Sequence, residues 1–173
     1  MAKIALLATL LLVCLLQVHA FSGVWIKLNH GSVCFQAKSN KPGLLLPRHQ
    51  GFLAAVKLVH KSGYVSCAGW SYRSHWGCKG LAYPLNMFVT NAKNQVIFPR
   101  VGMKFWPGNA GRWYSMDGFD SMSNDLVLQY GFDQAYYITP KSVLKVWYGE
   151  DLYGYTESDN RGKVCADVYG YFI

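Results

Sequence analysis

Apolar side chains recur at every second position in short runs, and turn residues separate the runs. Val24, Ile26 and Leu28 alternate with Trp25, Lys27 and Asn29; Val33, Phe35 and Ala37 alternate with Cys34, Gln36 and Lys38. Successive side chains of a strand point to opposite faces, so this spacing specifies strands with one face buried. No window sustains a helical period between a cap and a stop. Asn29–Ser32 reads as a hairpin turn between the first two runs. Lys61–Gly63 reads as a second turn, between Phe52–His60 and Tyr64–Gly69, and Asn91–Asn94 as a third, between Asn86–Thr90 and Gln95–Pro99. Asp125–Tyr130, Gln134–Ile138, Ser142–Tyr148 and Lys163–Phe172 bring the expectation to about ten short strands. The fold class that follows is all-β, a single antiparallel sandwich or barrel. Two segments lie outside the strand pattern: glycine- and aromatic-rich Arg100–Asn124, and acidic Gly149–Gly162.

The N-terminus carries Lys3, the apolar stretch Ile4–Leu16 and small residues up to Ala20. That order is the pattern of a secretory signal, expected over residues 1–20, with 21–173 as one secreted all-β domain. The apolar stretch is too short to span a bilayer, and no later one is long enough either, so no transmembrane segment is expected. Beyond the signal stand Cys34, Cys67, Cys78 and Cys165, an even number in an exported domain, which implies two disulfides. Three pairings are open to four cysteines. Topology favours Cys67–Cys78, which bracket a short polar loop with Gly69 and Gly77, and Cys34–Cys165, which would tie together strands near opposite ends. Zinc is disfavoured by the absence of a C-x2-C pair.

The chain is 51% apolar and 16% aromatic, which excludes disorder. Its charges are divided. Residues 21–116 hold 12 Lys and Arg and no acid, whereas residues 117–173 hold 9 acids and 4 bases. In the basic half, cations are interleaved with rings: Trp70, Tyr72, Arg73, His75, Trp76 and Lys79, then Lys104, Phe105, Trp106, Arg112 and Trp113. Rings stack on sugar faces while Lys and Arg meet anions, so extracellular polyanions or glycans are the expected partners. The ligand-binding candidates are Arg73, Trp76, Lys79, Lys104, Trp106, Arg112 and Trp113. Nucleic acid fits the charge but not the compartment. No G-x-S-x-G, H-E-x-x-H or P-loop is present, and His30, His49, His60 and His75 all lie in the half without carboxylates, so no catalytic residue is assigned.

The acidic segment gathers Glu150, Asp151, Glu157, Asp159 and Asn160 between two strands. These hard oxygen ligands suit weak calcium binding, at about 0.1 to 1 mM, although the order is not that of an EF-hand. The other reading is a segment that docks on the basic half of the same domain, with no cofactor.

Trp147–Leu152, Thr156–Asn160 and Gly162–Tyr169 together resemble the closing strand pair of a module in secreted proteins of marine invertebrates, including coral skeletal organic matrix proteins. The resemblance implies an extracellular, matrix-associated protein in which the acidic loop is a fixed feature. The reading that follows is a secreted binding or structural protein of the extracellular matrix, of a skeletal organic matrix if the resemblance is followed further. The rival is a soluble carbohydrate-binding lectin of innate defence, and an enzyme stands third.

Overall fold

The computed structural model describes residues 23–131 and 134–173; the signal expected over 1–20 lies outside them. The strands are β1 (Val24–Lys27), β2 (Val33–Gln36), β3 (Gly43–Leu45), β4 (Gly51–Ser66), β5 (Met87–Thr90), β6 (Val96–Phe98), β7 (Met103–Phe105), β8 (Tyr114–Met116), β9 (Asp125–Gln129), β10 (Tyr136–Ile138), β11 (Leu144–Tyr148) and β12 (Arg161–Phe172). One helical turn, α1 (Gly149–Tyr153), follows β11. The architecture is all-β and antiparallel. The larger sheet is centred on β12 and β4, the second has the order β3-β11-β5-β6, and β7 and β8 form a separate ribbon.

Two expected hairpins are absent, and one constraint explains both. β4 runs 16 residues without turning back, pairing with β12 from Phe52's neighbour Leu53 to Ser66. The Lys61–Gly63 signal is a bulge: Cys165 pairs with Ser62 and Ala166 with His60, so Lys61 is the extra residue. Gly63 (φ 82°) faces Val164, and Gly162 (φ 93°) faces Val65; a Cβ at either would strike the carbonyl of Lys163 or Tyr64 on the facing strand. Glycine there permits close approach rather than reversal. Likewise Asn29–Ser32 does not reverse the chain. β1 pairs with Tyr169–Phe172 and β2 with Lys163–Ala166, so residues 24–36 form one interrupted edge strand along β12. β9 and β10 line the outer edge of β4 in the same way. The Asn91–Asn94 hairpin does form, between β5 and β6.

One core joins both sheets. Phe35, Leu53, Val56 and Leu58 from the larger sheet share it with Leu45, Met87, Phe88 and Val146 from the smaller. Trp76, Tyr114 and Tyr148 are the largest fully buried side chains. Their polar atoms are satisfied: the Trp76 indole donates to the Ser123 carbonyl (2.8 Å), Tyr114 to Met87 (2.7 Å) and Tyr148 to Gly77 (3.1 Å). Arg100–Asn124, expected to be a loop, contains the β7–β8 ribbon. Among the described residues no helix is long and apolar enough to cross a membrane.

Both disulfides have the favoured pairing. Cys34 and Cys165 face each other across β2 and β12, and Cys67–Cys78 closes the loop that follows β4. Their sequence separations are 131 and 11. In the chain-entropy model the long bridge stabilises by about 5 kcal/mol and the short one by about 3. Replacing Cys34 and Cys165 together by alanine should therefore lower the denaturation midpoint more than replacing Cys67 and Cys78; chemical unfolding of the two double variants measures the order, and the reverse order contradicts it.

Candidate functional site

The end of the β4–β12 ladder places two segments side by side. Ser66 pairs with Arg161, so the disulfide loop leaves β4 where the acidic segment enters β12. The Gly69 N–H donates to the Asp159 carbonyl (3.4 Å) and links them.

The disulfide loop is anchored at its base and open at its crown. Ser74 exchanges backbone hydrogen bonds with Val65, at 2.8 and 2.9 Å, and the His75 and Trp76 N–H groups donate to the Ser121 carbonyl. The Lys79 N–H donates to the Tyr72 carbonyl (3.0 Å), closing the crown around the short 3-10 turn Trp70–Tyr72. What remains outside is a groove of about 500 Å3 lined by Tyr64, Trp70, Ser71, Arg73, Lys79 and Met122. Trp70 is 58% exposed and Tyr64 40%. Arg73 lies over the Tyr64 ring at 5.6 Å, within cation–π range. Behind Tyr64, the His75 ring stacks on His60 with centroids 3.6 Å apart. Burial lowers the His60 pKa, with the adjacent His75 acting in the same direction against the Gly63 carbonyl it contacts.

The seven ligand-binding candidates separate into three places. Arg73 and Lys79 line the groove. Trp76 and Trp113 are corrections: both are buried in the core, because their indoles fill space between the sheets and donate inward, Trp113 to Glu150 Oε1 (2.9 Å). Lys104, Trp106 and Arg112 sit on the β7–β8 ribbon and its turn. There Lys104 pairs with Asp117 (3.5 Å), Trp106 stacks with Tyr83 (5.9 Å), and Arg112 lies over Phe105 (5.6 Å) and Tyr153 (6.0 Å). Tyr64 and Met122 belong to the groove but carry no local signal in the sequence; only the register of β4 and the turn at 120–123 brings them there.

The acidic segment is built inward. Asp151 accepts the N–H groups of Asn40 (2.7 Å) and Lys41 (3.1 Å), and Glu157 accepts that of Ser39 (3.2 Å). Ser39 and Asn40 have positive φ, which turns three successive N–H groups toward the two carboxylates, an anion nest. Glu150 is buried, with Oε1 accepting from Trp113 and from Thr156 (2.9 Å each) and its own N–H donating to Asn86 (2.9 Å). Asn160 donates to the Ala37 carbonyl (3.0 Å). Among the described residues no three His, Cys, Asp or Glu side chains form a group able to hold a metal. Two of the five predicted ligands, Asp151 and Glu157, face the nest, because backbone N–H donors meet their charge more closely than lysine side chains do. Burial raises the Glu150 carboxyl, against hydrogen bonds from Trp113 and Thr156.

Burial pushes the Asp151 carboxyl up to about 6, with Glu157 beside it acting in the same direction and the two N–H donors opposing. A carboxyl raised above its unfolded value binds its proton more tightly in the folded protein, so its contribution to stability grows as pH falls from 7 toward 5. The melting temperature of the wild type relative to Glu157→Gln should accordingly rise over that interval. A difference independent of pH would show that Asp151 and Glu157 share no proton.

Comparison with solved structures finds AJLec from the sea anemone Anthopleura japonica, at 48% sequence identity and TM-score 0.82, covering 87% of this chain and 98% of that one. The sea anemone source agrees with the marine-invertebrate part of the sequence resemblance; its coral skeletal part has no counterpart in this match. No family model matches the sequence, and comparison with curated proteins finds no match. At that identity and coverage, the chain belongs to the family of AJLec.

Proposed function

We propose that the protein is a secreted, non-enzymatic carbohydrate-binding lectin, and that a glycan occupies the groove beside the Cys67–Cys78 loop. The observation that carries this reading is the 48% identity, over 87% of the chain, to a protein whose name marks it as a lectin. The groove supports it chemically. The exposed Trp70 indole offers an apolar face to the C–H side of a sugar ring, and Ser71, Arg73 and Lys79 supply hydroxyl, guanidinium and ammonium donors for its oxygens. Concave sites with an aromatic wall and a few polar groups are the usual form of small-ligand sites. Two disulfides support secretion. The matrix-associated reading draws on no feature of the fold and stands behind the lectin.

Calcium belongs to the same proposal, with Glu150 and Asn160 kept from the set the sequence suggests and Asn109 added. Glu150 Oε2, Asn160 Oδ1 and Asn109 Oδ1 are buried oxygens without hydrogen-bond partners. Asn109 Oδ1 and Glu150 Cγ both approach the space a Cβ would fill at Gly111, at 3.1 and 3.2 Å. Unsatisfied buried oxygens are costly, and a hard cation is one group that satisfies them.

The test is a glycan panel probed with the wild type and Trp70→Ala, with and without free sugar as competitor. The wild type should bind a subset of glycans and elute with the matching sugar, and Trp70→Ala should lose at least about tenfold in affinity, the scale of one lost ring contact in a binding site. Unaltered binding by Trp70→Ala removes the glycan from this groove, and failure of the wild type on every glycan removes the lectin. Separately, millimolar calcium should raise the melting temperature relative to chelator by mass action, and Asn109→Ala should abolish that rise. Identical melting curves in calcium and chelator discard the cation.

A further inference from the structure

We infer that the groove selects glycans bearing sulfate esters, with Arg73 and Lys79 clamping the sulfate while the sugar ring lies on Trp70. The inference rests on the lectin reading above and specifies its ligand class. Its first support is the charge of the lining: two cations and no carboxylate among Tyr64, Trp70, Ser71, Arg73, Lys79 and Met122. The ion pairs among the described residues involve Lys27, Lys61 and Lys104, so neither Arg73 nor Lys79 is neutralised by an acid. A site built only for a neutral sugar has no need of two cations left unpaired at its rim.

The nearest acidic group in sequence to the lining, Asp120, is engaged locally. Its Oδ1 accepts the Met122 N–H (2.6 Å) and lies 3.4 Å from the Ser123 hydroxyl, so it caps its own turn. In the acidic segment Asp151 and Glu157 are held by the backbone of residues 39–41, and none of the ion pairs among the described residues joins Asp159 to Arg73 or Lys79.

Geometry separates the roles of the two cations. Arg73 is held over Tyr64 at 5.6 Å, and Tyr64 is backed by the imidazole of His75 at 5.4 Å, so the guanidinium is positioned before any ligand arrives. Its planar fork can donate two parallel N–H bonds to two oxygens of one sulfate. Lys79 contributes a point charge from the other strand of the loop, where its backbone N–H is fixed on Tyr72. A sulfate ester carries its charge at every physiological pH and presents three terminal oxygens, which suits a fork and a point charge together. A sugar carboxylate presents two.

The experiment compares binding of an immobilised sulfated glycosaminoglycan with its chemically desulfated form and with the neutral glycans that the panel identifies. The wild type should prefer the sulfated chain by at least about tenfold, the scale of one charged hydrogen bond, with an affinity that falls steeply with salt. Arg73→Gln/Lys79→Gln, which keeps amide donors for the sugar oxygens, should abolish that preference by weakening the sulfated chain at least about tenfold more than the neutral glycans. The charge-matched control Arg48→Gln/Lys93→Gln, two exposed positions outside the groove, should retain it. Equal loss in both double variants would overturn the inference in favour of diffuse electrostatics. Neutral binding without sulfate preference would overturn it and leave the lectin standing, whereas failure on every glycan would remove both. Anionic-lipid vesicles captured as strongly as the sulfated chain, through the same two residues, would show that the clamp serves a membrane surface and overturn the glycan assignment. Melting curves of each variant exclude misfolding, and Lys79→Gln alone provides a milder change if the double variant unfolds.

Discussion

The antiparallel ladder between β4 and β12 determines where everything else lies. It extends from Leu53 opposite Phe172 to Ser66 opposite Arg161, and its outer edges are lined by two interrupted strands, β1 with β2 and β9 with β10. A ladder of this length buries the alternating positions of both strands, so a slip of one residue would turn Val56, Leu58, Val164, Ala166 and Val168 out of the core. The bulge at Lys61 and the close glycine approaches at Gly63 and Gly162 hold the register in the half nearer the groove. Because the ladder stops at Ser66 and Arg161, the disulfide loop and the acidic segment must emerge next to each other. The position of the groove is thus a consequence of strand length.

Charge is handled in an unexpected way. A chain whose first half has no acid and whose second half has all nine invites pairing between the halves through side chains. Lys27 and Lys61 do pair with Asp167, and Lys104 with Asp117, but in the acidic segment Asp151 and Glu157 accept backbone N–H groups of residues 39–41, and the Lys38 ammonium goes to the Ser158 carbonyl (3.2 Å). Fixed N–H dipoles require no ordering of long side chains and so meet a buried carboxylate at lower entropic cost. Arg73 and Lys79, which take part in none of the ion pairs among the described residues, line the groove, where a ligand can reach them.

The strand pattern was legible because period two is local, and the class and both disulfides follow from it and from the cysteine count. The two missing hairpins show its limit. Asn29–Ser32 and Lys61–Gly63 have turn chemistry, and turn chemistry serves a bulge or an interruption as well as a reversal. Only the partner strand decides, and β12 lies about a hundred residues away or more for both. For the site, Arg73 and Lys79 were legible as cations among rings in a short cross-linked loop. Trp76 and Trp113 looked the same in sequence, and burial is the property that separates them. Asn109 was invisible because a neutral amide gains meaning only when its oxygen is found unpartnered beside Glu150.

The groove is stiff, and stiffness bears on what it can bind. Its Tyr64 wall is backed by His75, which stacks on His60 and is held by the Ser123 carbonyl at 3.1 Å. Burial lowers the His60 pKa, with the neighbouring His75 acting in the same direction. Arg73 therefore rests on a fixed surface, and the Cys67–Cys78 bridge fixes the loop that carries it. Immobilising a long, freely rotating side chain on binding costs about 0.5 to 1.5 kcal/mol, and a guanidinium already seated avoids much of that cost. A shallow surface groove gains little from apolar burial, so its affinity depends on such pre-positioned charge and on the one exposed indole, Trp70, that a sugar face can cover.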